Sequence, residues 1–439
     1  MSPEELRERE EAAFGDFLRG LGDSTGLAPF EHNLETWRQL WRVLEMSDIV
    51  LLIADARHPA LSIPPALATH VTQELGKGLI LILNKVDLTP PEVAVAWCHL
   101  LRGRFGDTTR VVPFSTAPAG PAHGLQKKPR KRKGGRWSRA LGPRLLLEAC
   151  QDIVGGAVDL SAWRARLERA ERRPLGDDDD DEEEPQEGAE PEEDDEEEGV
   201  AGGVALPRQW ERYRHGVLTL GCVGLPNAGK SSVLNALLGR SAVGVSRAPG
   251  RTRYFQTHYL TGQVRLCDCP GLVFPSRAPP ELQVLAGVYP IAQLQDPYSA
   301  VGFLGSRLAL PPLLQLRPPS GPRWTAWDLC EAWAEKRGYK TARAARNDVA
   351  RAANGLLRMA AEGRLRLCLT PPGFTEKKDH WRLHPDTAAM AAMTGGVASP
   401  PAPPSEGSTS EDEGEESEEA TPPPSPAHNP FALLGEDEC

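Results

Sequence analysis

Residues 224–231, Gly-Leu-Pro-Asn-Ala-Gly-Lys-Ser, carry the residue types and spacing best suited to chemistry in this chain. They match the phosphate-loop pattern GxxxxGK[ST] and follow an apolar run at 217–223. Glycines let backbone N–H groups turn towards phosphate oxygens, and the N-terminus of the following helix adds partial positive charge. The alternative is an ordinary Gly-rich turn, but the strand–loop–helix context favours a nucleotide site. The residues predicted to contact nucleotide here are Gly224, Pro226, Asn227, Ala228, Gly229, Lys230, Ser231 and Ser232.

Lys230, Ser231 and a second motif are predicted to supply the positive charge and the Mg²⁺ ligands that phosphate chemistry needs beside this loop. Lys230 is predicted to reach the β- and γ-phosphates, and Ser231 to ligate Mg²⁺. In the DxxG segment, Asp268 would hold Mg²⁺ and the Gly271 N–H would contact the γ-phosphate. Thr252 is the candidate threonine that closes over Mg²⁺, with an ordinary loop threonine as the alternative. The predicted metal ligands are Ser231, Thr252 and Asp268.

A base-selecting motif, Asn84-Lys-Val-Asp87, directly follows the apolar run Leu79–Leu83. The Asp87 carboxylate can accept from the N1–H and the N2 amino group of guanine, and adenine offers no such donor pair. Asn84 is predicted to bridge the loop and approach N7, while the stem of Lys85 packs on the base. The segment beginning at Ser115 would give a backbone N–H to guanine O6, and a plain turn is the alternative there.

The elements that must position these motifs alternate between strand and helix, which predicts an α/β domain with a mostly parallel sheet. Short apolar runs predict the strands Ile49–Asp55, Leu79–Leu83, Val111–Phe114, Val217–Val223, Tyr254–Leu260 and Val264–Cys267. Helices are predicted over 1–46, over 141–172 and through most of 281–370, where Thr325-Ala-Trp-Asp328 is typical of a capping box.

The predicted domains are an N-terminal helical segment at 1–46, a nucleotide-binding domain at 47–275 and a C-terminal helical module at 281–375. Composition predicts disorder in three low-complexity segments, because they hold too little apolar surface to fold. They are a basic loop at 120–140, an acidic insertion at 177–198 and an acidic, Pro- and Ser-rich tail at 396–439.

The charge of the chain is unevenly distributed. Of its 61 acidic residues, 28 lie in segments at 177–198, 406–419 and 436–438 that contain no Lys or Arg. The remaining 33 face 50 Lys and Arg, so the rest of the chain has a net charge of +17. A basic body favours a polyanionic partner such as nucleic acid, although a surface tuned for solubility is the alternative.

The C-terminal module offers one arginine-rich face. A helix over 341–360 would place four arginines within an arc of about 140°. They are Arg343, Arg346, Arg351 and Arg358. Asn354-Gly355 is the point at which this helix would break. These four arginines would contact the phosphates of a nucleic acid. The alternative is that they form a solvated face of the helix.

Membrane and secretory functions are excluded by composition. No apolar run approaches the roughly 18 residues that a spanning helix needs, and the charged N-terminus resembles neither a signal nor a transit peptide. The eight cysteines include no CxxC pair, which argues against a zinc site or a disulfide framework. The chain is therefore predicted to be intracellular and without a membrane partner.

The order of the motifs, with the base motif first and the phosphate loop after it, resembles the circularly permuted GTPases of the YlqF/YawG family. Asp55-Ala-Arg-His-Pro59, Pro249-Gly-Arg-Thr252 and Leu285–Pro290 also fit that family. The resemblance covers roughly residues 35–375. It implies a circularly permuted Ras-like P-loop domain and GTP/GDP binding. It also implies a role in ribosome-subunit biogenesis or export, with ribosomal RNA or a pre-ribosomal subunit as partner.

The chain departs from the family at its start, which is not rich in Lys and Arg. A shortened form of a family member is one explanation of this departure, and it would weaken a nucleolar assignment, although Lys127–Lys133 matches a nuclear-localisation signal or a solvated basic loop. The Asp55–Pro59 motif has no chemical role that its residue types reveal.

Slow hydrolysis is predicted from Leu272, which stands where Ras-like enzymes place a water-orienting Gln. Resemblance to potassium-dependent GTPases implies that Asn227 recruits K⁺, and the alternative is that Asn227 only caps the loop. The residues predicted to act in catalysis are Lys230, Thr252, Gly271 and Asn227. A GTP-gated scaffold with negligible hydrolysis remains the rival to a GTPase, and a P-loop kinase is disfavoured because Asp87 selects guanine.

Overall fold

A computed structural model of the chain describes residues 3–22, 26–106, 109–116, 140–172, 211–244, 255–317, 324–341 and 346–394. Several predictions concern residues outside these ranges. They are the switch threonine Thr252, Arg343, residues 120–139 of the basic loop, the acidic insertion and the tail.

The described strands form one six-stranded sheet in the order β3-β2-β1-β4-β6-β5. The strands are β1 (Ile49–Asp55), β2 (Gly78–Asn84), β3 (Thr109–Pro113), β4 (Leu218–Val223), β5 (Gln256–Thr261) and β6 (Val264–Asp268). All neighbours pair in parallel except β5, which is antiparallel to β6. The carboxyl ends of five parallel strands therefore meet at one edge, where α/β proteins bind ligands. The predicted mostly parallel sheet is confirmed.

Fifteen α-helices are described in the resolved ranges. Those before β4 are α1 (Pro3–Gly22), α2 (Leu34–Met46), α3 (Pro59–Ser62), α4 (Pro65–Thr69), α5 (Pro91–Phe105), α6 (Pro143–Val154) and α7 (Ser161–Arg172). The remainder are α8 (Lys230–Leu238), α9 (Pro280–Leu285), α10 (Pro297–Gly305), α11 (Leu310–Leu314), α12 (Ala326–Arg337), α13 (Val349–Ala361), α14 (Lys378–Leu383) and α15 (Pro385–Thr394). No described helix is both long enough and apolar enough to cross a membrane.

Helices cover both faces of the sheet, so its central strands are buried on both sides. Along β1, Ile53 lies in one core with Trp163 of α7, whereas Leu52 lies in the opposite core with Trp97 of α5. A third core joins α9, α10, α12 and α13 and centres on Trp333. The helices α14 and α15 lie beyond residue 375, and Met390 of α15 belongs to the same core as Trp97.

The helix predicted over 341–360 is not continuous, because the described residues 341 and 346–348 lie outside any helix. The helix α13 begins at Val349 because the side chain of Asp348 caps its first turn by accepting a backbone N–H. Arg346 therefore precedes the helix, and the arc of four arginines does not form. The exposed arginines on α13 itself are Arg351 and Arg358.

Other predictions for the helical regions are confirmed or refined. The capping box is present, with Thr325 accepting from the Asp328 N–H and the Asp328 carboxylate accepting from the Thr325 N–H. Asn354-Gly355 lies inside α13 and does not break it. The region 141–172 forms two helices rather than one, because Gly155 and Gly156 both have positive φ after α6.

Candidate guanine-nucleotide site

The phosphate loop connects the end of β4 to the first residue of α8. Gly224 and Gly229 have φ of 153° and 100°, values that favour glycine. A Cβ on Gly224 would lie 2.3 Å from the carbonyl oxygen of Ile53, and one on Gly229 would lie 2.3 Å from Nδ2 of Asn84. The loop is therefore packed directly against the ends of β1 and β2.

Lys230 is buried at the start of α8 although it carries a charge. Its Nζ donates to the carbonyl oxygens of Gly224 and Leu225, at 3.0 Å each. Burial lowers the pKa of Lys230, and the negative charge of Asp268 opposes this shift. The loop itself thus holds the ammonium group beside its own carbonyls.

Asp268 ends β6 with its carboxylate fully buried. Neither carboxylate oxygen accepts a hydrogen bond of good geometry from another described residue. Burial raises the pKa of Asp268 to about 6, while the charge of Lys230 and the nearby Ser231 hydroxyl oppose the rise. A buried, unsatisfied carboxylate beside a hydroxyl fits Mg²⁺, which prefers oxygen ligands.

The segment after Asp268 packs on the phosphate loop. A Cβ on Gly271 would lie 2.9 Å from both Cα and N of Pro226, so this position tolerates only the smallest residue without movement of the loop. Leu272 is fully buried, and its N–H points at the Gly224 carbonyl oxygen at 3.4 Å. A displacement of this segment would therefore also displace the phosphate loop.

The base motif contacts the phosphate loop although about 140 residues separate the two in sequence. Asn84 ends β2, and its Nδ2 donates to the Ala228 carbonyl oxygen at 2.9 Å. Lys85 adopts a left-handed conformation with φ of 66°, and its Nζ donates to the Asn227 carbonyl oxygen at 2.6 Å. The Nδ2 of Asn227 in turn donates to the Gly287 carbonyl oxygen at 2.5 Å.

Asp87 and Ser115 lie together at the ends of β2 and β3. The Ser115 hydroxyl donates to Oδ1 of Asp87 at 2.5 Å. Burial raises the pKa of Asp87, and this hydrogen bond opposes the shift. Ser115 is itself held by paired backbone hydrogen bonds with Leu141. Of the other predicted residues, Ser232 is half-buried in the first turn of α8.

The sequence reasoning missed a buried ion pair at the end of β1. Nε and Nη2 of Arg57 donate to the two carboxylate oxygens of Asp55 at 3.0 and 2.7 Å. Lys85 of the base motif donates to the same carboxylate at 2.8 Å. These two cations hold the pKa of Asp55 well below its usual range against the opposing effect of burial. Asp55–Pro59 therefore supplies the ionic partner of the base motif.

Arg57 also reaches the C-terminal helical region. Its Nη1 donates to the Ala360 carbonyl oxygen at 2.8 Å, and its Nη2 contacts the Ala361 carbonyl oxygen at 3.4 Å, both at the end of α13. The Arg57 carbonyl oxygen accepts from the Leu369 N–H at 2.7 Å. One buried arginine thus joins the site to α13 and to the segment that follows it.

The chain is similar in sequence to known guanine-nucleotide-binding proteins. The sequence model of a protein family described as "50S ribosome-binding GTPase" matches residues 219–290. Guanine nucleotide-binding protein-like 1 of Homo sapiens is 52% identical over an alignment of 472 positions, which covers all of this chain and 77% of that protein. The Rattus norvegicus protein of the same name is 50% identical with the same coverage.

Two more distant similarities are of the same kind. GTPase LSG1-2 of Arabidopsis thaliana is 29% identical, over 86% of this chain and 61% of that protein. The solved structure of GNP-bound YlqF from T. maritima aligns with a TM-score of 0.42 at 16% identity, over 76% of this chain and 96% of that one. Because the 52% identity extends over the whole of this chain and its base motif precedes its phosphate loop, the chain belongs to the guanine nucleotide-binding protein-like 1 family of circularly permuted GTPases.

Proposed function

We propose that the chain binds GTP and GDP where the base motif meets the phosphate loop, and that it hydrolyses GTP slowly as a molecular switch. The observation that carries this proposal is the pair of hydrogen bonds from Asn84 and Lys85 to the phosphate-loop carbonyls of Ala228 and Asn227. These bonds hold the base motif against the phosphate loop although the base motif comes first in the chain, which supports a shared nucleotide site. Asp87 would select guanine, and Ser115 would orient its carboxylate.

Mg²⁺ fits the phosphate side of this site. Ser231 and Asp268 would hold it, with Thr252 as a third ligand in the GTP state. When bound, Mg²⁺ neutralises charge on the β- and γ-phosphates. Lys230 would contact the same phosphates, and the Gly271 N–H would sense the γ-phosphate.

Hydrolysis should be slow because the buried Leu272 side chain cannot orient an attacking water. We propose that K⁺, recruited at Asn227, supplies part of the missing charge stabilisation. GTP turnover should then be faster in K⁺ than in Na⁺ buffer, and equal rates in the two buffers would rule out this role.

We further propose that the nucleotide state reaches the C-terminal helices through buried contacts. Lys85 bonds both the phosphate loop and Asp55, Asp55 bonds Arg57, and Arg57 bonds the end of α13. Groups in buried ionic contacts have few alternative partners. A shift of the Asn227 carbonyl on nucleotide binding would therefore also shift Lys85, Asp55 and Arg57.

The partner that we propose is ribosomal RNA or a pre-ribosomal subunit, which would place the chain in ribosome biogenesis or export and in the nucleus, nucleolus and cytoplasm. The basic body and the description of the family model support this. Phosphate contacts from Arg351 and Arg358 would make binding salt-dependent. Replacing both with Glu should weaken binding to ribosomal subunits, whereas replacing the exposed α7 residues Arg169 and Arg172 with Glu should not.

A GTP-gated scaffold with negligible hydrolysis is the second candidate, favoured by Leu272 alone. The deciding experiment measures GTP turnover by the full chain, alone and with purified ribosomal subunits. A slow basal rate that subunits accelerate supports the switch. Turnover that is absent under both conditions, with GTP still bound, supports the scaffold.

A further inference from the structure

Three side chains that can ligate metals converge beside α5. His99 lies in the third turn of α5, His384 lies between α14 and α15, and Asp386 lies in the first turn of α15. One ligand atom from each of the three lies within 4.8 Å of the others. The two sides of the cluster are 285 or more residues apart in sequence, so the tertiary fold assembles it.

The distances fit a small transition-metal ion. Nε2 of His99 lies 3.0 Å from Oδ2 of Asp386, and Nδ1 of His384 lies 3.8 Å from the same oxygen. Ligand atoms of a tetrahedral zinc ion are about 3.4 Å apart, given metal–nitrogen distances near 2.1 Å. The observed separations bracket that value, so ligation requires only small side-chain movements.

The hydrogen bonds within the cluster show which contacts a metal ion would replace. The Asp386 backbone N–H points at Nδ1 of His384 at 3.2 Å, and a backbone N–H can only donate. Nδ1 of His384 is therefore unprotonated, and a metal ion would bind its lone pair in place of this hydrogen bond. Nε2 of His99 lies 3.0 Å from the Asp386 carboxylate, and a metal ion at Nε2 would be bound by the neutral ring in the tautomer that carries its proton on Nδ1.

The cluster has the surroundings that a metal site needs. Trp381 packs on the rings of His99 and His384, with centroids 5.4 and 5.7 Å away, which limits their rotation. The side chain of Asp386 is 52% exposed, so an ion and a completing water have access. Two imidazoles and one carboxylate suit zinc and its first-row neighbours rather than Mg²⁺ or Ca²⁺.

We propose that His99, His384 and Asp386 form a site for a divalent transition-metal ion such as Zn²⁺, which fastens the terminal helices α14 and α15 to α5. The ion would stabilise the folded chain because the unfolded chain lacks the assembled site. The site needs no nucleotide, so its existence does not depend on the proposed GTPase activity.

The test uses the full chain, stripped with a chelator and titrated with Zn²⁺ and with Co²⁺. The expected result is one tight site that raises the melting temperature, with a cobalt visible spectrum of nitrogen and oxygen ligation. His99→Ala and His384→Ala should each lower the affinity by at least roughly tenfold and abolish the rise in melting temperature. Asp386→Asn, which preserves the side-chain shape, should weaken binding without preventing folding.

The matched control is His70→Ala, which removes a histidine from another histidine–carboxylate pair, His70 with Glu74 at 2.6 Å. This variant should bind metal as the parent does. Equal affinity in the His99, His384 and His70 variants would overturn the proposal. So would a cobalt spectrum dominated by thiolate charge transfer, which would place the ion on cysteines.

Discussion

Arg57→Met removes the guanidinium that joins the nucleotide site to the C-terminal helices while keeping a side chain of similar length. In the parent, Arg57 is 2% exposed and satisfies both oxygens of Asp55 and the Ala360 carbonyl. After the change, Asp55 keeps only Lys85 as a cationic partner, and the carbonyl loses its donor. Breaking a buried ion pair by removing one partner costs about 3–5 kcal/mol of stability.

The measurement is chemical unfolding followed by tryptophan fluorescence and by circular dichroism, so that departures from a single transition are visible. The control is Arg172→Met, because Arg172 is 82% exposed and its carboxylate partner Glu168 lies 3.7 Å away. Loss of an exposed pair costs under about 1 kcal/mol. If the Arg57 and Arg172 variants unfold alike, the buried pair does not hold the two regions together and the proposed path to α13 fails.

Two further substitutions test the contacts around the site. Gly363→Ala should weaken guanine-nucleotide binding more than Gly373→Ala, because both positions have φ near +70° but only a Cβ at Gly363 would strike Leu88, at 2.4 Å, beside the base motif. Equal affinities measured by fluorescent-nucleotide titration would show that this contact does not position the base motif. Ser231→Ala should make GTP affinity insensitive to removal of Mg²⁺ by a chelator, whereas Ser231→Thr keeps the hydroxyl and the sensitivity. A Ser231→Ala variant that still loses affinity with the chelator would assign the metal to Asp268 without the serine.

The sheet was predictable from sequence because its strands are short apolar runs that end in polar motif residues. Asn84 and Asp268 terminate β2 and β6 as their positions after such runs indicate. The contacts between motifs could not be predicted in the same way. The hydrogen bond from Asn84 to Ala228 follows only once it is known that β1 lies between β2 and β4 in the sheet. Local sequence patterns indicate where a strand begins and ends, but they do not indicate the order of the strands in the sheet.

Arg57 shows why other features could not be predicted. Its main partner outside its own motif, Ala360, is 303 residues away and contributes only a backbone carbonyl. Because every residue has such a carbonyl, the residue type at this position does not indicate the contact. The start of α13 was misplaced for a related reason. The composition of residues 341–348 is compatible with a helix. The structure instead begins the helix after Asp348, whose side chain accepts a hydrogen bond from a backbone N–H in the first turn of α13. A helix boundary thus depended on one side-chain hydrogen bond.

The most direct test of the central claim compares the binding of GTP, XTP and ATP to the parent chain and to Asp87→Asn. The claim is that Asp87, brought to the phosphate loop by Asn84 and Lys85, selects guanine. The parent should bind GTP well above XTP and ATP. Asp87→Asn should lose on the order of 1.5–3 kcal/mol for GTP, roughly tenfold or more in affinity, and should now prefer XTP, whose ring offers the complementary hydrogen-bond pattern. An Asp87→Asn chain that binds GTP as tightly as the parent, with no gain for XTP, would contradict the assignment of this site.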